Sequence, residues 1–213
     1  MRITKFGHAC LLVEEGDARV LIDPGAFSSG FEDLADLDAI LITHQHQDHV
    51  MPDKIKQLLA KNAAAKVYAD EGSVMVLSEA GVEAQAVHEG DKLDVGGMAV
   101  EVIGRDHAPI HSDIPGIPNV GYLIGGRFFY PGDSLTRPGR PVEVLAVPTA
   151  APWLLSAKVV DFMLEVNPKV AIPVHDAVLS GAGHAIYVGL LERFAGPAGV
   201  MVRVAEPGQP VEV

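Results

Sequence analysis

The residues with the clearest chemical potential lie together at positions 44–49. This segment reads HQHQDH, so His44, His46, Asp48 and His49 place four metal-binding side chains within six positions, directly after the apolar run 39–42. His44 and His46 alternate as in an extended chain, so both imidazoles can face the same side. Asp48 and His49 are adjacent and are better placed to serve a second point. The spacing therefore indicates two neighbouring metal positions.

Two metal positions need more ligands than one loop supplies, and the other candidates follow predicted strands. His107 and His111 lie in VEVIGRDHAPIH, and His175 lies in VAIPVHDA. Asp133 in RFFYPGDSL follows a strand and a glycine that permits a tight turn. Separate strand ends can bring these side chains to one rim. His107 and His111 compete for one role, and His107 is favoured because it is closer to the strand end.

Short β-type runs, with helical patterns between some of them, must position these residues. The predicted strands cover residues 2–6, 10–14, 19–23, 39–43, 66–69, 99–103, 120–124, 127–130, 144–147 and 170–173. Predicted helices begin near Pro52, Ser73, Ser156 and Ala185, with Ser73 and Ser156 as caps. A β meander followed by mixed strands and helices is typical of a layered α/β fold. About ten strands predict two packed sheets rather than one small parallel sheet.

Length, composition and charge bound the function classes. At 213 residues, with 48% hydrophobic and 21% charged residues, the chain has the composition of one soluble globular domain, spanning 1–213. A formal net charge of −12 without a long basic run argues against nucleic-acid binding. No segment has the apolar length of a membrane span or an export signal, so we expect a cytoplasmic protein. The single cysteine, Cys10, leaves any metal to His and carboxylate ligands.

The order of the motifs resembles that of a known family. THQHQDH matches the His-x-His-x-Asp-His signature of the metallo-β-lactamase-fold superfamily, and His107, GDS and PVH are similar to its later metal-binding motifs. GHACLLVE and VLIDPG are similar to the opening strands of its short bacterial branch, which includes proteins related to L-ascorbate-6-phosphate lactonase. The resemblance covers essentially the whole chain, and its motifs occur in the family's order.

The resemblance implies a four-layer αββα sandwich with a dinuclear site at one edge of the sheets. One metal would be held by His44, His46 and His107, the other by Asp48, His49 and His175, and Asp133 would bridge both. The implied function is that of a metal-dependent hydrolase, in which a metal-bridged hydroxide attacks a small ester, lactone or phosphate-containing substrate. Asp48 and His49 would then occupy catalytic positions. The His-rich ligand set suits Zn²⁺, with Mn²⁺ or Fe²⁺ as alternatives.

Four further residues have both a functional and a structural interpretation. His8 in FGHAC would support the ligands from outside or line the pocket, or it would be a turn histidine. Asp23 in LIDPG would accept from a ligand imidazole N–H, or it would initiate a turn before proline. His111 would line the substrate pocket or be solvated. His184 in SGAGHAIY would contact substrate or start a helix.

Two segments are expected to shape the substrate pocket. Residues 107–121, HAPIHSDIPGIPNVG, and residues 136–153, TRPGRPVEVLAVPTAAPW, have the proline and glycine content of rim loops. Arg105, Arg137 and Arg140 are candidates for attracting an anionic group, although each also fits a solvated surface charge. The scissile bond stays open between a lactone, an ester and a phosphodiester.

Hydrolysis of a small-molecule substrate is favoured over other chemistry of the same fold. Relatives that act on RNA have extra elements and basic surface, which an acidic chain of 213 residues leaves little room for. Flavodiiron relatives replace the second His of the loop with Glu, and persulfide-oxidising relatives use one iron and lack the full second site. The alternatives are a metal-dependent oxidoreductase and a non-catalytic metal-binding module. We expect neither nucleic acid nor membrane as a partner, and a homo-oligomer stays open.

Overall fold

The computed structural model describes all 213 residues and contains fourteen strands and four helices. The strands are β1 (Arg2–Lys5), β2 (Leu11–Glu15), β3 (Ala18–Ile22), β4 (Ala39–Ile42), β5 (Lys66–Ala69), β6 (Gln85–Ala86), β7 (Lys92–Val95), β8 (Met98–Ile103), β9 (Gly121–Ile124), β10 (Phe128–Tyr130), β11 (Val144–Pro148), β12 (Val170–Val174), β13 (Met201–Val202) and β14 (Pro210–Glu212). The helices are α1 (Pro52–Lys61), α2 (Glu71–Glu79), α3 (Ser156–Val166) and α4 (Gly181–Ala198). None of these helices combines the length and apolarity needed to cross a membrane.

The strands form two mixed sheets of seven strands each. The first sheet has the order β14-β1-β2-β3-β4-β5-β6, and the second has the order β13-β12-β11-β10-β9-β8-β7. The first sheet is antiparallel from β14 to β3 and parallel from β3 to β6. The second sheet is antiparallel from β7 to β10 and parallel from β10 to β13. Parallel neighbours need crossover connections, which lay helices on the sheet faces.

Side-chain alternation along the strands divides the apolar residues between three layers of core. In β2, Leu11 and Val13 face a cluster of 24 buried residues between the two sheets. The intervening Leu12 faces the other side, where it belongs to the cluster that contains Ile55 and Leu58 of α1. Each such side chain contributes about 1.5–3 kcal/mol when fully buried. The central strands, such as β4 and β11, are therefore apolar and buried on both faces.

Helices cover the outer face of each sheet. Leu77 of α2 joins α1 in the cluster over the first sheet. Phe129 of β10 packs over the second sheet in a cluster with Phe162 and Met163 of α3 and Leu191 of α4. The layers run helix, sheet, sheet, helix, which confirms the predicted αββα sandwich.

The four strands that the sequence analysis did not predict are the four edge strands. β14 and β6 close the first sheet, and β13 and β7 close the second. Each has two to four residues and is mostly exposed or half-exposed. An edge strand lacks a neighbour on one side and need not carry the apolar run of an inner strand. The ten predicted strands are the ten inner ones.

Two predicted helix caps are wrong. Asp70 caps α2, because its carboxylate accepts from two backbone N–H groups, including that of Ser73 at 3.1 Å. Ser156 is the first residue of α3 and makes no capping hydrogen bond. α4 begins four residues earlier than predicted, where the Ser180 hydroxyl accepts from a backbone N–H at 3.1 Å. Several nearby residues could satisfy the free N–H groups of each first turn, so the sequence alone does not select one.

Candidate metal centre

The loop between β4 and α1 carries four of the predicted ligands. β4 is buried throughout, so the start of the loop is fixed. His44 is buried and His46 half-buried, with ring centroids 4.7 Å apart. The N–H of His49 donates to the carbonyl of His46 at 2.9 Å, which turns the chain. A Cβ at Gly25 would lie 1.9 Å from the carbonyl oxygen of Asp48, so the β3–β4 connection needs glycine to pack against this loop.

The first cluster consists of His44, His46, His107 and Asp133. One ligand atom from each residue lies within 4.8 Å of all the others. His107 follows β8 and Asp133 follows β10, so two strands of the second sheet bring these residues to the loop of the first sheet. Oδ2 of Asp133 lies 3.4 Å from Nε2 of His107 and 4.0 Å from Nε2 of His44. His46 is the most exposed member of the cluster.

The second cluster consists of His8, Asp48, His49 and His175, again within 4.8 Å of one another. Oδ2 of Asp48 lies 3.2 Å from Nε2 of His8, 3.4 Å from Nε2 of His175 and 3.9 Å from Nε2 of His49. The N–H of Ala177 donates to Nδ1 of His8 at 3.1 Å. Nε2 of the neutral His8 ring therefore carries the proton and donates to Asp48.

Asp133 contacts both clusters. Its Oδ1 lies 3.3 Å from Nε2 of His49, and its Oδ2 lies 3.2 Å from Nε2 of His175. The backbone N–H of Asp133 donates to the side-chain oxygen of Asn119 at 2.9 Å, which fixes the turn after β10. Burial disfavours the charge, but His49, His107 and His175 hold the pKa of Asp133 well below its usual value. An ionised carboxylate between the clusters has the position that a ligand shared by two ions requires.

Trp153 belongs to the site, although the sequence analysis placed it only at the end of a rim segment. Its Nε1 donates to Oδ2 of Asp133 at 2.8 Å. Its ring meets that of His107 edge-on, with the centroids 5.9 Å apart. The one signal in the sequence is that Trp153 is the only tryptophan of the chain. Its fluorescence is therefore a specific probe of the Asp133 environment.

Buried atoms without hydrogen-bond partners test whether these residues fit metal ions. Four such atoms belong to the two clusters, namely Nε2 of His49, Nε2 of His107, Nε2 of His175 and Oδ1 of Asp133. A buried polar group left unsatisfied costs about 1–3 kcal/mol. Imidazole nitrogens and carboxylate oxygens are the donors of catalytic zinc sites that lack cysteine. Divalent cations at the two clusters would satisfy these atoms, so the residues fit the predicted metals.

Asp23 supports ligands of both clusters from outside. Its Oδ2 accepts from Nδ1 of His49 and from the hydroxyl of Thr43, each at 2.7 Å. The Thr43 hydroxyl in turn lies 3.1 Å from Nδ1 of His44. Hydrogen bonds on the far side of an imidazole fix its tautomer and orientation, which leaves Nε2 for a metal. The predicted contact of Asp23 with a ligand imidazole is present in the structure.

His175 is held by backbone and by a buried ion pair. It adopts a left-handed conformation with φ of 59°, unusual for a residue other than glycine. Its Nδ1 lies 2.7 Å from the carbonyl oxygen of Ala150. The ammonium of Lys5 donates to Asp176 at 2.6 Å and to the carbonyl of Pro173 at 3.1 Å. Lys5 thus ties down the chain on both sides of His175.

The two clusters differ in protonation. Burial lowers the pKa of His44 well below its usual value and also lowers the pKa of His46. Around His175, burial is outweighed by the close carboxylates, that of Asp133 first, and the pKa of His175 rises to about 9. The same balance raises the pKa of His49 well above its usual value. At neutral pH and without metal, His44 and His46 are neutral, and His49 and His175 hold protons.

Two predicted pocket residues lie outside the clusters. His111 has an exposed side chain, and its Nδ1 accepts from the N–H of Asp113 at 3.1 Å. The structure brings His107, and not His111, to the other predicted ligands. Nε2 of His184, in the first turn of α4, lies 3.2 Å from Oδ2 of Asp176. Contact of His111 or His184 with substrate stays a prediction.

A family model described as the β-lactamase superfamily domain matches residues 2–175. The chain belongs to this superfamily. It is 45% identical to Protein Rv0786c of Mycobacterium tuberculosis over 196 residues, which covers 90% of this chain and 91% of that protein. It is 30% identical to a UPF0173 metal-dependent hydrolase of Carboxydothermus hydrogenoformans, across 99% of each chain. Neither of these two names specifies a substrate.

The fold of this superfamily is shared at much lower sequence identity. The metallo-β-lactamase fold protein YhfI from Bacillus subtilis superimposes with a TM-score of 0.73 at 15% identity, covering 99% of this chain and 98% of that one. Such a likeness shows the fold alone. The family resemblance inferred from THQHQDH and the later motifs is confirmed.

Proposed function

We propose that the protein is a hydrolase that uses two divalent metal ions. His44, His46 and His107 would hold one ion and Asp48, His49 and His175 the other, with Asp133 shared between them. The observation that carries the proposal is the set of four buried ligand atoms without hydrogen-bond partners, one of them on Asp133 between the clusters. Membership of the superfamily and a relative named metal-dependent hydrolase support it.

The bound ions would make a water molecule more acidic and polarise the oxygen of the scissile bond. The chain holds the ligand side chains in position before the ions and the substrate bind. The ligand segments follow β4, β8, β10 and β12, and each of these strands lies inside a sheet. Groups held on rigid elements keep their spacing without an ordering step, and that is what a precise catalytic geometry requires.

The open side of the centre is marked by Asp48 and His46. The Asp48 side chain is 18% exposed, whereas that of His49 is 1% exposed. His46 is the corresponding half-buried member of the first cluster. We propose that substrate approaches past these two residues, which is consistent with catalytic positions for Asp48 and His49. Against burial, the close rings of His175 and His8 hold the pKa of Asp48 well below its usual value, so the carboxylate stays charged there.

We propose zinc as the native metal. The predicted ligands are five imidazoles and two carboxylates, with no thiolate in reach because the one cysteine, Cys10, is buried in the core over the first sheet. Imidazole-rich sets of this kind suit zinc, and they also accept manganese or iron. An iron-loaded protein that consumes oxygen would instead favour the oxidoreductase alternative.

Metal analysis combined with a hydrolysis screen tests the proposal. We expect about two ions per chain in the purified protein. Treatment with a chelator should abolish hydrolysis, and added Zn²⁺ should restore it. Trp153 fluorescence should change in step with metal content because its Nε1 contacts Asp133. Trp153→Phe is the optical control, since it removes the signal while the seven ligands remain.

Three outcomes would contradict the proposal in different ways. Hydrolysis that persists after complete metal removal would require a metal-free mechanism. Two bound ions without turnover of lactones, esters, phosphate esters or phosphodiesters would favour a non-catalytic metal-binding module. A single ion per chain would leave the second cluster without the proposed role.

A further inference from the structure

The arginines that were candidates for attracting an anionic group are all paired with carboxylates. The pairs are Arg105 with Asp106 at 3.1 Å, Arg137 with Glu165 at 3.5 Å, and Arg140 with Glu101 at 2.6 Å. Lys5, the buried lysine beside His175, is committed to Asp176. Each pair has no net charge, so none adds a positive potential that would draw a phosphate or carboxylate of a substrate.

The cavity beside His107 is lined by no unpaired lysine or arginine. It has a volume of about 640 Å³, large enough for a small substrate, and it lies between the start of α2 and the segment 105–120. Arg105 is paired with Asp106, Nε2 of His88 lies 2.9 Å from Oε1 of Glu71, and the buried Asp70 accepts from the first N–H groups of α2. The carboxylate of Glu89 has no ion pair, and the apolar lining comprises Val87, Ile117, Pro118 and Val120. An anionic group in this cavity would find no free basic side chain, whereas an uncharged apolar group needs none.

Exposed apolar side chains are concentrated on the loops that carry the centre. Of the ten large apolar residues that are exposed, five lie there, at Phe27, Ile110, Ile114, Leu155 and Val178. The ring of Phe27 lies 5.4 Å from that of His8. The loop with Ile110 and Ile114 is closed at its base by a hydrogen bond from the N–H of His107 to the carbonyl of Ile117 at 3.0 Å. Leu155 follows Trp153 by two positions, and Val178 follows His175 by three.

We propose that the substrate is an uncharged carboxylic ester, open-chain or cyclic, whose acyl part is apolar. This proposal rests on the proposed hydrolase function and deepens it. Bound cations would attract any anion at the reacting atom, so they do not discriminate between esters and phosphates. Discrimination falls to the surroundings, where the arginines are paired with carboxylates, the cavity is lined by no unpaired lysine or arginine, and the rim is apolar.

The reaction consumes one water and one ester. The water oxygen bonds to the acyl carbon, the bond from that carbon to the alkoxy oxygen breaks, and the leaving oxygen takes up a proton, which gives a carboxylic acid and an alcohol. No oxidant or reductant is needed. The acid product is anionic at neutral pH, and the cavity offers it no unpaired lysine or arginine, which favours its release.

Matched substrates test the proposal on the zinc-loaded protein. We would compare 4-nitrophenyl acetate, butyrate and hexanoate with the 4-nitrophenyl monoester of succinic acid, which resembles the butyrate but ends in a carboxylate. 4-Nitrophenyl phosphate and bis(4-nitrophenyl) phosphate complete the set. We expect kcat/KM to rise about two- to threefold per added methylene. The butyrate should exceed the succinate by about tenfold or more. Rates of Asp133→Asn give the background.

Variants of the exposed apolar loop residues and of the cavity test whether each of them contributes to substrate recognition. Ile114→Asp and Leu155→Asp should raise KM for the hexanoate about five- to tenfold without a matching loss of kcat. Phe194→Asp is the control, because Phe194 is an exposed apolar residue far along α4, and its kinetics should equal those of the parent. Glu89→Lys should raise kcat/KM for the succinate relative to the butyrate.

The outcomes separate the two proposals. Preference for the succinate or for either phosphate ester would overturn the substrate class while leaving the metal-dependent hydrolase intact. Equal effects of Leu155→Asp and Phe194→Asp would remove the apolar rim from recognition and overturn the proposal as well. Absence of turnover on all six compounds, with both ions bound, would overturn the hydrolase function on which the substrate class depends.

Discussion

The first cluster, with His44, His46, His107 and Asp133, and the second cluster, with His8, Asp48, His49 and His175, lie at the same sheet edge but differ in charge. In the first cluster, burial keeps His44 and His46 neutral. In the second cluster, His49 and His175 hold protons because ionised carboxylates contact them. His44 and His46 can therefore bind a metal ion directly at neutral pH, whereas His49 and His175 must release protons first.

The clusters also differ in how they are supported. Asp23 serves both, since it contacts His49 directly and His44 through Thr43. Lys5 serves only the second, through Asp176 and the backbone next to His175. Two predicted metal positions that look alike in the sequence thus depend on different parts of the fold. Variants at shared and unshared supports should separate them.

Asp133→Asn should have the largest effect, because Asp133 contacts both clusters. The amide keeps the size of the carboxylate but removes the charge that holds protons or metals on both sides. We expect loss of one or both ions and a fall in kcat of roughly 10²–10³-fold. Metal content per chain and steady-state kinetics check this result. A variant that keeps two ions and full activity would show that the two clusters do not share a ligand.

Asp23→Asn should weaken both clusters together by an intermediate amount. Asp23 has a φ of 47°, which asparagine tolerates, so the backbone should be preserved. The single amide oxygen cannot replace both carboxylate oxygens, which accept from the N–H and hydroxyl of Thr43 and from Nδ1 of His49. We expect metal affinity to fall about 10–100-fold at each cluster. Titration with Zn²⁺, monitored by Trp153 fluorescence, measures the binding of an ion at each cluster. If metal affinity falls at the second cluster alone, the hydrogen bonds from Asp23 through the Thr43 hydroxyl do not support His44.

Metal affinity of the second cluster should depend on pH more steeply than that of the first. Below the His175 pKa of about 9, a metal must displace a proton, so affinity is lost as pH falls and levels off above that value. The expected slope is about tenfold per pH unit for each displaced proton. The first cluster, with neutral His44 and His46, should show a flat profile above the usual imidazole range. Calorimetric titrations in buffers of different ionisation enthalpy count the protons, and equal counts for both ions would contradict the comparison.

Lys5→Met should affect the second cluster only. It leaves Asp176 as a nearly buried carboxylate without its cation, which costs about 3 kcal/mol of unfolding free energy or more. The left-handed backbone at His175 then loses the contacts of Lys5 with Asp176 and with the carbonyl of Pro173. We expect about tenfold weaker binding of one ion and unchanged binding of the other. Lys61→Met, which removes an exposed pair with Asp33, is the matched control and should change neither binding step. Loss of both ions with a folded chain would refute the assignment of Lys5 to one cluster.

His111→Ala should have the smallest effect. His111 is exposed and makes only a local hydrogen bond to the N–H of Asp113. We expect both ions to remain bound and any change to appear in KM, by less than about threefold. Metal analysis beside Asp133→Asn provides the contrast. Loss of an ion from His111→Ala would mean that His111, rather than His107, completes the first cluster.

The amino-acid sequence by itself determined the parts of this protein that depend on local spacing. The run 39–42 predicted β4, and the alternation after it predicted neighbouring rings at His44 and His46. All ten inner strands were predictable: β4 and β11 are apolar runs buried on both faces, and β8 shows the alternation of a strand buried on one face. The short edge strands and the Asp70 cap were not, because an exposed edge carries no apolar period and several polar residues could cap the same turn.

Only the tertiary structure decided which distant groups meet. Trp153 reaches Asp133 across 20 positions, and Lys5 reaches Asp176 across 171. His8 and Asp48, 40 positions apart, form a hydrogen bond that anchors the second cluster. The Lys5–Asp176 contact joins the two sheets, whereas the other two contacts each join loops of one sheet. All three depend on the packing of the whole core rather than on the residues beside each partner. For the same reason the unequal protonation of the clusters follows from burial and carboxylate contacts, which spacing along the chain does not encode.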